Sequence, residues 1–184
     1  PSDGLRVSLT DWEDMGCRLR PLVMPADSRA AYERLRRDPR VVRLGDVAHV
    51  RVGYVTGASG LFHLGPIRAV AAGIPRESLR LTVPDGSYLA DGAITPAVVG
   101  RWLRTLEPVY LLRIKENDDL PSSVVRYLDS PSGRRAREAY KCRTRDPWYV
   151  VPGVHIPDAF LSAKGDDGLR LVANQAGCAH ANSV

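Results

Sequence analysis

Residues 41–64, VVRLGDVAHVRVGYVTGASGLFHL, decide how the rest of the chain is read. Val50, Val52 and Tyr54 alternate with Arg51, Gly53 and Val55, the period of a strand with one buried face. The small residues Gly57-Ala58-Ser59-Gly60 then form a turn, and residues 61–64 read as the returning strand. No internal repeat or low-complexity tract accompanies it, so the chain reads as one irregular α/β mixture rather than a solenoid.

Working outward, Asp27 or Ser28 can cap a helix through RAAYERLRR that buries Ala31 and Leu35 and ends at Asp38-Pro39. Downstream, PIRAVAAG suggests a helix ending at Gly73, followed by a strand over 79–83 and a Pro84-Asp85-Gly86 turn. Thr95 and Pro96 open a helix whose apolar face carries Val98, Val99, Trp102 and Leu103. VYLLRI, from Val109, reads as a buried strand. Leu120-Pro121-Ser122-Ser123 opens another helix with Val124, Val125 and Leu128 inward, and Ser130-Pro131-Ser132-Gly133 separates it from the basic run RRAREAYKCRTR. Late strands are expected over 148–151 and 169–173. The expected architecture is a mixed α/β (α+β) fold of twisted, mostly antiparallel strands with several short helices packed around them. Residues 1–43 form an N-terminal linker or helical segment, and 44–184 the main domain.

Length and composition agree with this: 184 residues, 44% hydrophobic and 26% charged, suit one domain with a small lobe. That composition is close to globular averages, which excludes collagen and wholesale disorder, and no apolar run approaches the ~20 residues that cross a bilayer, which excludes a helical membrane span. The start, PSDGLRVSLTDWED, lacks the basic end and apolar stretch of a signal peptide, which makes the cytoplasm the expected location. The chain has no initiator methionine and stops at Asn182-Ser183-Val184 without a capping signal, so a piece of a larger protein is expected.

The formal charge of +5 favours a polyanionic partner. Lys115, Lys141 and Lys164 are the only lysines, so nearly all the positive charge sits on guanidinium groups. That bias suits bidentate phosphate and guanine contacts, or equally a GC-rich genome. Three widely spaced cysteines, Cys17, Cys142 and Cys178, form no disulfide framework and read as small apolar residues. Cys178-Ala179-His180 comes nearest to a metal cluster, but no CxxC or HxxxH spacing accompanies it, and no metal is expected.

Two stretches carry chemistry. VGYVTGASG matches neither GxGxxG nor GxxxxGK[ST]; its small residues could form a plain turn, or let a backbone approach DNA with Thr56 and Ser59 free to donate. In RRAREAYKCRTRDPWY, Arg134, Arg135, Arg137, Lys141, Arg143 and Arg145 outnumber Glu138 and Asp146, and Tyr140, Trp148 and Tyr149 interleave. Cations neutralise phosphates and rings stack on bases, although a solvated helix face with Trp148 and Tyr149 in the core fits the same pattern. His155 near Asp158, His180 near Asn182, and Glu116 with Asp118-Asp119 accompany no nucleophile elbow or HExxH motif, so no catalytic residue is expected.

Read in order, LGDVAHVRVGYVTGASGLFHL, VYLLRI, VVRYLDS, YKCRTRDPWYVVP and LRLVANQAGCAHANSV resemble the C-terminal target-recognition region of TaqI-type N6-adenine DNA methyltransferases, found in bacterial restriction-modification and phage-defence systems. The G-x-x-T-G-A turn falls on Gly53, Thr56, Gly57 and Ala58, and R-x-P-W-Y on Arg145, Pro147, Trp148 and Tyr149. The asparagine-bearing strand with its terminal N-[ST] pair falls on Asn174, Asn182 and Ser183. Ser59 and Gly60 stand where the family often carries asparagine and an acidic residue. The resemblance implies sequence-specific double-stranded DNA binding through Thr56, Gly57, Ala58 and Ser59, the cations of the basic run, Trp148, Tyr149, Asn174, His180 and Asn182. It places S-adenosylmethionine and the methylation of an extruded adenine in a catalytic domain that this chain lacks, making that domain a partner. The alternatives are a stand-alone nuclease or hydrolase using His155 or His180, and an RNA-binding or protein-docking module.

Overall fold

A computed structural model describes residues 8–162 and 169–184, with Lys164 outside them. It divides into two compact units, Pro1–Val50 and Arg51–Val184.

In the first unit, Ser8 caps helix α1 (Leu9–Asp14) by accepting the Asp11 N–H at 3.0 Å. A 3-10 turn at Arg20–Val23 buries Pro21 and Leu22. Helix α2 (Ala26–Arg37) starts just before the expected cap, with Pro25 at its N-cap, and stops at Asp38. The Arg29 guanidinium ties it to the 3-10 turn by donating to the Leu22 carbonyl at 2.7 Å. Leu35 is 57% exposed, against expectation, because charged residues cover most of the helix surface and few apolar residues of this unit are buried. Residues expected as strand become the single turn α3 (Leu44–Val47), with Val50 64% exposed.

The second unit holds two mixed sheets. Strands β1 (His63–Leu64), β2 (Leu79–Val83), β4 (Tyr110–Leu112) and β7 (Ala179–His180) form one, in the order β1-β4-β2-β7. β4 is antiparallel to both neighbours, while β7 runs parallel to β2 with Val83 opposite His180. Strands β3 (Ala93–Ile94), β5 (Ala159–Ser162) and β6 (Arg170–Asn174) form the other, in the order β3-β6-β5. The α+β class expected from the sequence is the class observed.

The hairpin is not. Ser59–Phe62 coil into a helical turn, α4, and the short β1 that follows pairs with β4 instead of with residues 50–55. The consecutive Leu61 and Phe62 are both buried, which a strand with one wet face cannot achieve and a helical turn can. Of the alternating residues only Tyr54 pairs, in a parallel bridge to Ala181, and Val52 stays 76% exposed.

Helix α5 (Pro66–Ala71) and β2 fall where expected. In α6 (Pro96–Arg104), Thr95 accepts the Val98 N–H at 3.3 Å, and Val98, Val99 and Trp102 pack inward. Helix α7 (Ser122–Leu128) buries Val124 and Leu128, four positions apart on one face, and leaves Val125 exposed rather than inward. Ser130 is a cap, not a separator: it accepts the Gly133 N–H at 3.2 Å and starts α8 (Pro131–Glu138) inside the expected linker. A one-turn helix, α9 (Tyr140–Arg143), follows. Residues 148–151 form no strand: the cis Asp146-Pro147 bond leads into a turn closed by Val150 N–H donating to the Pro147 carbonyl at 3.1 Å.

Two apolar clusters hold this unit. Phe62, Leu64, Leu111, Leu112 and Val124 centre the first, beside α4, α7, α8 and α9, and Val83, Ile94, Val109, Phe160 and Val172 centre the second. Each such side chain contributes about 1.5–3 kcal/mol through burial.

Candidate nucleic-acid interface

Three chain segments run side by side in one direction: Tyr54, the end of β7, and β2. Tyr54 N–H donates to the His180 carbonyl at 3.1 Å, Asn182 N–H to Tyr54 at 2.9 Å, and Ala181 N–H to Val83 at 3.1 Å. Past their carboxyl ends all three continue into one open cleft of about 710 Å³. Thr56, Gly57 and Ser59 come from the first, Asp85 from the second, and Asn182 and Ser183 from the third. A crevice beyond the carboxyl ends of parallel strands is where open α/β sheets take ligands, because the backbone stops there and loops are free to vary. The cleft unites the T-G-A turn with the N-[ST] pair.

The loop that floors it is held by side chains from distant elements. Arg145 donates to the Val55 and Thr56 carbonyls at 2.5 and 2.9 Å. Arg68 donates to the Gly60 carbonyl and lies 5.5 Å over the Tyr127 ring, while Tyr127 Oη–H donates to the Leu61 carbonyl at 2.8 Å. Gly57 has φ of +79°, and a Cβ there would lie 2.6 Å from the Lys141 Cβ. At Gly53 a Cβ would come within 2.5 Å of the Ala181 carbonyl oxygen, so both motif glycines are required by close approach. The loop is therefore rigid before any ligand arrives, which lowers the ordering cost of binding.

Beneath it runs a directed hydrogen-bond chain. Thr82 Oγ1 donates its single proton to the Ala179 carbonyl at 3.2 Å, so Tyr54 Oη–H donates to Thr82 Oγ1 at 2.6 Å. The Tyr54 oxygen is then left to accept from His63 Nε2–H at 2.9 Å. Burial holds His63 below the usual imidazole range, opposed by the Asp85 carboxylate, and pushes the Tyr54 phenol up. His63 is thus neutral, with Nδ1 as an acceptor.

The basic run splits into outward and inward residues. Helix α8 exposes Arg134, Arg135 and Arg137 and turns Ala136 inward. Helix α9 buries Cys142 and exposes Lys141 and Arg143, whose charged groups lie 5.7 and 5.8 Å from the ring centre of Tyr140, itself 65% exposed. Arg145 is committed to the loop. Trp148 and Tyr149 are half-buried against the first cluster, Trp148 meeting Phe62 edge-on at 6.5 Å.

Other expected contacts also serve the scaffold. Thr56 is 7% exposed and Ala58 packs on the first cluster, which leaves Ser59 as the exposed hydroxyl of the loop. Asn174 donates to the Pro157 and Cys178 carbonyls at 2.7 and 2.8 Å and accepts the Cys178 N–H at 3.0 Å, clamping the turn into β7. His180 is 9% exposed, between the rings of His155 and Phe160 at 5.5 Å each. Asn182 remains exposed in the cleft. His63, Arg68 and Asp85 also line it; no local spacing marks them, since they arrive from β1, α5 and the end of β2 and meet only through long-range pairing of the strands.

Among the described residues no group of three His, Cys, Asp or Glu is placed to hold a metal, and no helix is long and apolar enough to cross a membrane. No curated protein and no solved structure matches the chain significantly. Residues 19–184, nearly the whole chain, match the family model described as "Type II methyltransferase M.Eco57I, C-terminal domain". A chain whose sequence matches that model almost throughout belongs to the family of the type II methyltransferase M.Eco57I C-terminal domain.

Proposed function

We propose that this chain is the target-recognition portion of an S-adenosylmethionine-dependent, N6-adenine-specific DNA methyltransferase of the TaqI type, acting on duplex DNA in the bacterial cytoplasm as part of restriction-modification or phage defence. Arg134, Arg135, Arg137, Lys141 and Arg143 neutralise phosphates, and the cleft at Ser59 and Asn182 meets base edges. One observation carries the reading: Gly57 packs directly on Lys141, so the cleft loop and the cationic helix form a continuous surface with an exposed tyrosine between two cations. Cations and an open ring suit nucleic acid, and the adjoining rigid polar cleft suits base recognition.

Methyl transfer belongs, in this reading, to another part of the intact enzyme. The test is selection of bound duplexes from a random pool by the full chain, alongside incubation with labelled S-adenosylmethionine. Enrichment of a short motif without methyl transfer is expected. Methylation by this chain, or binding with no sequence preference, would overturn the proposal.

A further inference from the structure

The cleft contains a carboxylate that phosphate binding does not explain. Asp85 lies just beyond β2, lines the cleft with Asn182 and Ser183, and is near enough to His63 to act on its charge. Beside a DNA backbone a carboxylate is repulsive, and it weakens the attraction of the neighbouring Arg68 for phosphate. Opposite the exocyclic amine of a base the same group is complementary, because cytosine N4 and adenine N6 present N–H donors in the major groove.

Its local role does not require the charge. Asp85 Oδ1 accepts the Ser87 N–H at 2.9 Å and the Ser87 hydroxyl at 2.5 Å, capping the 3-10 turn at Gly86–Leu89. Asparagine caps such a turn about as well as aspartate. Oδ2 makes no hydrogen bond among the described residues, so it is available to a ligand. The neighbourhood has the same polarity of demand: the chain from Ala179 through Thr82 and Tyr54 fixes the proton of His63 on Nε2 and leaves Nδ1 as a second acceptor. Within the cleft these two acceptors, Asp85 and His63, suit a ligand group that donates, whereas the Arg68 guanidinium suits one that accepts.

We propose that Asp85 is a specificity-determining residue, accepting an exocyclic amino N–H of a cytosine or adenine in the recognised duplex. This rests on the reading of the chain as a DNA-binding domain. The oxygen at the same position in thymine or guanine would face the carboxylate without a donor, so Asp85 excludes those bases as well as choosing its own.

The experiment compares the full chain with its Asp85→Asn variant, which retains an oxygen for the cap. Duplexes are first selected from a random pool by the unaltered chain. Each adenine of the enriched motif is then replaced by purine, and each cytosine by a pyrimidine lacking the 4-amino group. Loss of one amine should weaken the unaltered chain about tenfold. The same loss should leave Asp85→Asn unaffected, while that variant melts normally and binds random duplex somewhat more tightly. Whether purine or the altered pyrimidine produces the effect identifies the base. A variant that selects the same motif with undiminished discrimination would overturn the role of Asp85 while leaving DNA reading intact. Failure of the unaltered chain to enrich any motif would overturn both.

Discussion

Gly57 and Lys141 touch, with a Cβ at Gly57 falling 2.6 Å from that of Lys141, so the loop flooring the cleft is seated on the helix that displays the cations. Substituting Gly57→Ala adds that clash to a φ of +79°, which L side chains rarely adopt. A loss of about 1–3 kcal/mol in urea unfolding is expected. Gly60→Ala is the control: nothing lies within 4 Å of a Cβ there, and the residue sits inside α4, so a change within about 0.5 kcal/mol is expected. Equal losses at both positions would show that the seat is not what holds the loop.

Arg145 and Arg143 lie close in sequence and should behave as opposites. Arg145 grips two loop carbonyls and is half-buried, so Arg145→Ala should cost about 2 kcal/mol or more by stranding them. Arg143 is exposed beside Tyr140, so Arg143→Ala should leave the melting temperature within a degree or two and weaken duplex binding at low salt. Thermal melts and fluorescence anisotropy on both variants separate scaffold from interface. A stable Arg145→Ala protein with weakened binding would reverse the assignment.

Much of this division is legible in the sequence, and the remainder is not for definable reasons. Helices with local signals appear where expected, as at Thr95-Pro96, because a cap and a 3.6-residue apolar period act within a few positions. The 41–64 hairpin does not form because alternation specifies a strand only when a partner segment exists, and the partner of Tyr54 is Ala181, at the far end of the chain. The same long-range pairing hides Asp85, His63 and Arg68, which reach the cleft through β2, β1 and α5. The motif residues Gly53, Arg145 and Asn174 stand out in the sequence, but their hydrogen bonds and close approaches run into the fold rather than outward. A recurring motif marks the scaffold of a site as readily as its contacts.

Burial should leave its mark on pH dependence. His63 and His180 both lie below the ordinary imidazole value of 6.5 because burial disfavours the cation, with the nearby His155 adding to the effect at His180 and Asp85 opposing it at His63. With the folded value depressed, the unfolded chain binds the proton first as the solution is acidified. Their stabilisation is therefore complete above pH 6.5 and is lost as pH falls from there through the folded values. Melting temperature should be level between pH 7 and 8 and decline from 6.5 towards 5, with a shallower decline for His63→Gln. A melting temperature that rises on acidification over this range would contradict neutral buried imidazoles.

The most direct measurement is the salt dependence of duplex binding by the chain and by a variant with Arg134, Arg135 and Arg137 all changed to alanine. These arginines are exposed on α8, and Arg134 donates to the Asp129 carbonyl at 2.7 Å, so the variant should lose no more than about 1 kcal/mol of stability, bind every duplex more weakly, and show a log-log salt slope flatter by roughly 0.9 for each phosphate it no longer neutralises. An unchanged slope in a folded variant, or no duplex binding by the unaltered chain at low salt, would contradict a DNA-facing surface at α8 and α9.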